Sequence, residues 1–193
     1  MIRSIVRLSA SVFAAACACA ASAQTPPSAA PPAAAAAPCA ASQKHQFDFW
    51  LGAWDVSDPA GKAVGDSRIE AILDGCVVLE HWRNAASTVA GRSFNLYNAG
   101  TGQWEQFWVD NGGSRLHLTG GLRGASMVLE GVQDRPNADT GKPQRERITW
   151  TPAADGGVRQ LWETSVDDGV TWRVSFDGRY RRAKAGAERG VPR

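Results

Sequence analysis

Turn chemistry recurs along this chain at short, fairly regular intervals, and that spacing leaves room for little except short strands. It appears at Asp58-Pro59-Ala60-Gly61, Asp74-Gly75, 84–87, 98–102 and Asn111-Gly112-Gly113. It continues at Gly120-Gly121, 136–141, Asp155-Gly156-Gly157 and Asp167-Asp168-Gly169. Most of these sites combine Asn or Asp with Gly, residues that tolerate positive φ and close hairpins of two to five residues. Nine such turns delimit ten strands. Between them the chain is rich in Trp, Val, Ile, Thr and Phe, and it alternates in character. One example is Val170, Trp172, Val174 and Phe176 against Thr171, Arg173, Ser175 and Asp177. No segment after residue 55 carries a 3.6-residue apolar stripe. Steady spacing of short strands fits an up-and-down barrel or a sandwich. Connections this short favour strands that neighbour each other in sequence. The expected fold is therefore all-β, an antiparallel up-and-down barrel of about ten strands. Closure removes the edges that would otherwise aggregate, and a barrel of this size can enclose one small ligand.

The ends of the chain read differently. Arg3 and Arg7 precede an apolar, Ala-rich run, and Ala21-Ser22-Ala23 has the form of an A-x-A cleavage site, so residues 1–23 read as a secretory signal. The run is shorter than the roughly 20 residues a membrane-spanning helix needs, and no later segment approaches that length. A lipoprotein signal would place its lipid on Cys17 or Cys19, but the usual Leu three residues earlier is replaced by Ala14 or Ala16. Residues 24–43 are mostly Ala, Pro and Ser and read as a disordered linker. Residues 183–193 read as a polar tail. The barrel domain is expected over 44–182, which is long enough for a single core. The expected location is the periplasm or the exterior.

The whole chain holds 21 Lys+Arg against 19 Asp+Glu. Without Arg3 and Arg7 the two signs balance. A chain with no net basic charge and no basic stripe lacks the footprint of nucleic-acid binding. Two cysteines remain after the signal, Cys39 and Cys76. Export into an oxidising compartment makes a disulfide between them the expected state. It would close a loop of about 36 residues and contribute on the order of 3–4 kcal/mol.

Phe47, Trp50 and Leu51 stand at helical spacing and suggest a short helical turn that plugs one mouth of the barrel, with Asp48 near its start. Gly52-Ala53-Trp54 leads into the first strand, and the last strand ends in Arg179-Tyr180-Arg181-Arg182. That G-x-W after a helical turn, with a basic close, resembles the calycin superfamily of lipocalins and fatty-acid-binding proteins. The resemblance implies that Trp54 caps the barrel end and that Arg181 or Arg182 packs across it. The string FDFWLGAWDV at 47–56 also resembles the opening of a family of exported bacterial proteins of unknown function. Gly75-Cys76, Trp150-Thr151-Pro152, Arg159-Gln160-x-Trp162-Glu163 and Asp177-Gly178-x-Tyr180 share in that likeness, which supports the barrel and the disulfide but implies no activity. Residues 165–172 fit the S-x-D-x-G-x-T-W Asp box of sialidases. A single copy in a domain this small is a hairpin turn.

Eight tryptophans dominate the chemistry: Trp50, Trp54, Trp82, Trp104, Trp108, Trp150, Trp162 and Trp172. Aromatics pack cores, yet several here share a strand face with polar residues. Glu80 alternates with Trp82, Gln106 and Asp110 with Trp104 and Trp108, and Gln160 with Trp162. An aromatic cavity with a few convergent polar groups is the signature of a small-molecule site. The candidate ligand contacts are Glu80, Trp82, Gln106, Trp108, Trp150, Gln160 and Trp162. The candidate acids or bases, should the pocket be catalytic, are Glu80, Asp110 and Glu163. Alternation puts His81 on the opposite side of its strand from Glu80. There is no G-x-S-x-G elbow, no H-E-x-x-H helix and no phosphate-binding glycine loop. The spacing of His45, His81 and His117 fits no zinc template, and the three are expected to be exposed or hydrogen-bonded rather than haem ligands. No cofactor or metal is expected. A small-molecule carrier is the leading reading. An isomerase, cyclase or hydrolase in the same pocket and a cell-envelope protein-interaction module are the alternatives. Oligomeric state cannot be read from the residues.

Overall fold

A computed structural model describes residues 39–184. The expected signal, residues 24–38 of the linker and residues 185–193 of the tail lie outside the described residues. Two 3₁₀ turns, Ser42–His45 and Asp48–Trp50, precede ten strands. These are β1 Gly52–Ser57, β2 Ala63–Ile72, β3 Val77–Asn84, β4 Ala90–Asn98 and β5 Gln103–Asp110. β6 Arg115–Arg123, β7 Ser126–Val132, β8 Arg145–Pro152, β9 Val158–Ser165 and β10 Arg173–Arg182 complete the set. Each strand pairs antiparallel with its sequence neighbours, and β10 returns to pair with β1 through Trp54↔Arg182 and Ser57↔Arg179. The sheet is thus a closed ten-strand meander, consistent with a calycin-like fold. Among the described residues no helix is long and apolar enough to cross a membrane.

One end of the barrel is sealed by aromatic side chains. Phe47 and Trp50, both fully buried, drop from the second 3₁₀ turn into the mouth. Phe47 stacks on Trp50 at 4.9 Å and meets the edges of Trp104 and Trp150 at 5.6 and 5.1 Å. Trp50 and Trp54 each meet Tyr180 at 6.2 Å. Such offset and edge-on pairs add about 0.5–1.5 kcal/mol each beyond the area they bury. The Trp54 indole donates to the Trp50 carbonyl at 2.9 Å. Of the two arginines the resemblance offered, Arg182 makes the closing contact. Its guanidinium lies 3.9 Å from the Trp54 ring centroid and donates to the Leu51 carbonyl at 2.5 Å. The Trp104 indole, in turn, donates to Gln46 at 3.1 Å.

Two local expectations need correction. Gly120-Gly121 is not a turn; both glycines lie inside β6, and the hairpin to β7 falls at Gly124-Ala125. The reason is close approach. A Cβ on Gly120 would sit 2.2 Å from the Val128 carbonyl oxygen of the neighbouring strand. The alternation from Val170 to Phe176 is likewise not one strand. β10 begins only at Arg173, and its pairing with β9 slips between Val174 and Phe176. Val170 and Val174 are 81 % and 63 % exposed. The slip is a bulge, which re-aims side chains, and it lets Ser175 and Phe176 both border the interior.

The Asp box forms the β9–β10 hairpin. Asp167 accepts from the Ser165 hydroxyl at 2.7 Å and from the Thr171 amide and hydroxyl at 2.9 and 2.6 Å. These donors hold its carboxyl down at about 2. At the other end, Cys39 and Cys76 form a disulfide with Cα atoms 5.2 Å apart. The bond ties the segment before the plug to the residue just before β3. Cys76→Ala should cost on the order of 3–4 kcal/mol and lower the thermal midpoint by about 10 °C. A calorimetric scan of oxidised wild type against the variant checks this, and equal midpoints would refute it.

Candidate functional site

The aromatic seal fills only one half of the barrel. On β3 the inward positions run Val78, Glu80, Trp82, from the packed end toward the other mouth. Beyond the seal lies a cavity of about 340 Å³. Its polar floor brings together Glu80, Gln106, Gln160 and Tyr180, with Leu116 and Ile148 beside them. Its walls and mouth are Trp82, Trp108, Trp162, Phe176, Asn84 and Ser175. Six of the seven expected contact residues therefore border one space. The seventh, Trp150, stands in the aromatic seal, fully buried against Phe47 and Trp50. Its indole N–H and that of Trp50 are buried without an acceptor, a cost of about 1–3 kcal/mol each that the ring contacts must offset.

The walls depend on two glycines. A Cβ on Gly65 of β2 would lie 2.4 Å from the Trp82 ring, and one on Gly91 of β4 would lie 2.2 Å from that of Trp108. Each ring therefore lies across its neighbouring strand where a side chain is missing. Trp82 is steadied further by the edge of Phe176 at 5.8 Å. The Trp108 indole N–H points to Asp110 at 3.4 Å, and that of Trp162 points to Glu146 at 2.5 Å. Glu146 is fully buried and also accepts from Gln144 at 2.7 Å and Gln133 at 3.1 Å.

Of the three candidate acids, only Glu80 faces the cavity. Asp110 sits at the rim and shapes the β5–β6 turn, accepting from the Gly112 and Ser114 amides at 2.9 and 3.0 Å. Partial burial pushes its carboxyl up, but those amides and Trp108 outweigh that and hold it low. Glu163 points outward and pairs with Arg147 at 2.9 Å. His81 also points outward, to Glu70 at 2.7 Å. His117 stacks on Phe107 of the outer face at 4.3 Å, and His45 pairs with Asp48. None of the three histidines lines the cavity. Among the described residues no group of His, Cys, Asp or Glu could hold a metal ion.

Glu80 is the centre of a buried polar network that the sequence alone did not reveal. Ser67 of β2 donates to one carboxyl oxygen at 3.1 Å, and Ser93 of β4 donates to the other at 2.9 Å. Asn95 donates to the Ser93 hydroxyl at 3.0 Å and to the Val78 carbonyl at 2.9 Å. Gln106 donates to Asn95 at 2.9 Å. Across the cavity the Tyr180 hydroxyl donates to Gln160. Burial raises the Glu80 carboxyl to about 7, against the hydroxyls of Ser93 and Ser67 and the charge of Arg92, which lower it. Tyr180 is raised by burial and by the nearness of Glu80. The network tolerates either state of Glu80. The Ser67 hydroxyl lies 3.4 Å from the His81 carbonyl, so it can donate there and accept a hydrogen bond from the O–H of the neutral acid.

No family model matches the chain, and no match to a curated protein is found. The likeness to exported bacterial proteins rests on the sequence motifs alone, and the calycin-like reading rests on the barrel itself.

A raised folded-state pKa means that the fold prefers protonated Glu80. Its contribution is complete below the ordinary value of 4.5, fades as pH rises, and is gone above about 7. The loss is on the order of 3 kcal/mol. Denaturant melts at pH 5 and pH 8 should show it in wild type, whereas Glu80→Gln should be flatter and more stable than wild type at pH 8. A variant with the same pH slope as wild type would remove Glu80 as its source.

Proposed function

We propose that this protein is an exported, lipocalin-like carrier or sensor that binds a small aromatic or amphipathic molecule in the barrel. The observation that carries this reading is the half-empty barrel. A cavity of about 340 Å³ is at the small end of ligand sites, which run from about 300 to 1,000 Å³. It combines flat aromatic walls with a few polar groups converging on its floor. Its walls are held before any ligand arrives: Trp108 and Trp162 by their indole hydrogen bonds, Trp82 by Phe176 and the gap at Gly65. Preorganisation of this kind lowers the ordering cost of binding. The disulfide and the N-terminal sequence support export.

A second reading has its own observation. A carboxyl group near neutrality in a cavity can give or take a proton at working pH, so Glu80 also suits an isomerase or hydrolase on the same barrel. Loss of turnover with intact binding in Glu80→Gln would favour that reading, and turnover surviving the substitution would end it.

Ligand entry should quench or shift the fluorescence of Trp82, Trp108 and Trp162 saturably. Trp108→Ala or Trp162→Ala should weaken binding by about tenfold or more while leaving the melt cooperative. A fluorescence screen of small aromatic and amphipathic compounds checks this. The proposal fails if no compound titrates to saturation, or if both variants bind as wild type does.

A further inference from the structure

The hydrogen-bond directions on the cavity floor say what a ligand must bring. The Val78 carbonyl can only accept, so it takes an N–H of Asn95 at 2.9 Å and leaves the Asn95 side-chain oxygen as an acceptor. That oxygen takes an N–H of Gln106 at 2.9 Å, and the same nitrogen reaches the Ser93 hydroxyl at 3.4 Å. The Ser93 hydroxyl receives Asn95 and gives its own proton to Glu80. The Asn95, Gln106, Ser67 and Ser93 donors beside Glu80 are therefore spent inside the protein, whereas Gln160 takes Tyr180 on its oxygen and keeps its N–H groups as donors. Around Glu80 the floor turns acceptor capacity toward the space, on the Glu80 carboxyl and on Gln106 Oε1.

The charges and the walls agree. Among the described residues no Lys, Arg or His borders the cavity, and its ionisable side chains are Glu80 and Tyr180. Asp110 stands at the rim and Glu146 is buried behind Trp162, each engaged by the indole N–H of a wall tryptophan. Those N–H groups are thereby turned away from a ligand, while the electron-rich faces of the rings remain. Aromatic faces around the one carboxyl group that borders the cavity attract a cation. The Asp110 carboxyl group at the rim, held low, raises its local concentration. An anionic ligand would meet the Glu80 carboxyl without a counter-charge. A neutral acceptor beside Glu80 would find the N–H groups of Asn95 and Gln106 already used.

We infer that the cavity takes a protonated amine, its ammonium group against Glu80 and Gln106 and its hydrocarbon part among Trp82, Trp108, Trp162 and Phe176. The inference rests on the cavity being a ligand site and names the chemical class it takes. Binding is then coupled to a proton. The groups facing Glu80 are the Ser67 hydroxyl from β2, the Ser93 hydroxyl from β4 and Tyr180 from β10, with the Arg92 charge acting from β4. Tyr180 is pushed further above its ordinary range by burial and by Glu80, so Glu80 is the group that changes. The ammonium binds the ionised form and expels the proton that Glu80 carries near and below about 7. Affinity for an amine therefore rises with pH through that range, as long as the amine itself stays protonated.

The test is calorimetric titration of the disulfide-bonded protein with three matched probes: 2-phenylethylamine, 2-phenylethanol and 3-phenylpropionate. At pH 8 the amine should bind at least about tenfold more tightly than either of the others. Its affinity should fall about tenfold from pH 8 to pH 6. At pH 7, titrations in buffers of different ionisation enthalpy should reveal release of about half a proton per amine bound. These wild-type measurements need no variant. In Glu80→Gln the amine should lose its pH dependence and its advantage over the alcohol. No binding of the amine, a flat pH profile, or equal binding of the alcohol or the carboxylate would overturn the inference. If that happens while the fluorescence screen still finds a saturating ligand, the cavity is a ligand site of another class. If the screen is empty as well, the ligand-site reading falls with it.

Discussion

The barrel closes where the first strand meets the last, and the contact at that seam governs what the interior can be. Arg182 lies on the Trp54 ring and bonds to the Leu51 carbonyl, while Trp54 bonds to the Trp50 carbonyl. Together these fix the 3₁₀ turn across one mouth and drive Phe47 and Trp50 inward onto Trp104, Trp150 and Tyr180. The large side chains spent there are not available further along. Ten strands make a wider tube than one aromatic layer can fill, so sealing one end this densely leaves the other end hollow.

The hollow half carries a chemical tension. A carboxyl group removed from water is costly unless it is neutralised or bonded. Glu80 uses both remedies: its pKa moves up to about 7, and two hydroxyls bond it. The Ser67 hydroxyl can turn between Glu80 and the His81 carbonyl, so the site can hold either protonation state without leaving a polar atom stranded. That adaptability separates Glu80 from Asp110, whose oxygens are committed to a turn, and from Glu163, which is committed to Arg147. The same tryptophan walls and carboxyl floor that fit a carrier would serve proton transfer. The difference between the two lies in what the ligand does once it is held.

Much of this was legible in the residues, with failures that have physical causes. Turn chemistry and alternation led to ten strands, and the shortness of the connections led to the meander. Gly120-Gly121 misled because glycine serves both turns and close backbone approach, and only the position of Val128 in the neighbouring strand tells them apart. Trp150 misled because alternation tells which face a side chain takes, not how far along the barrel it stands. Ser93 and Asn95 passed unnoticed although both are fully buried, while Phe94 between them is 44 % exposed. Their strand is polar inside and apolar outside, the reverse of the usual pattern. Only its pairing with Glu80 and Gln106 on adjacent strands shows why.

The sequence by itself determined the class of fold, the strand count, the aromatic plug and the pair of cysteines that join. Each of these follows from local rules: which residues turn, which alternate, and which can bond in an oxidising compartment. The tertiary structure decided which tryptophans seal and which line a space, which of three acids is buried, and which way its neighbours' hydrogen bonds run. Those properties depend on register between strands and on height along the barrel axis. Both are set by contacts between residues far apart in the chain, such as Trp54 with Arg182 and Ser67 with Glu80, and no local pattern encodes them.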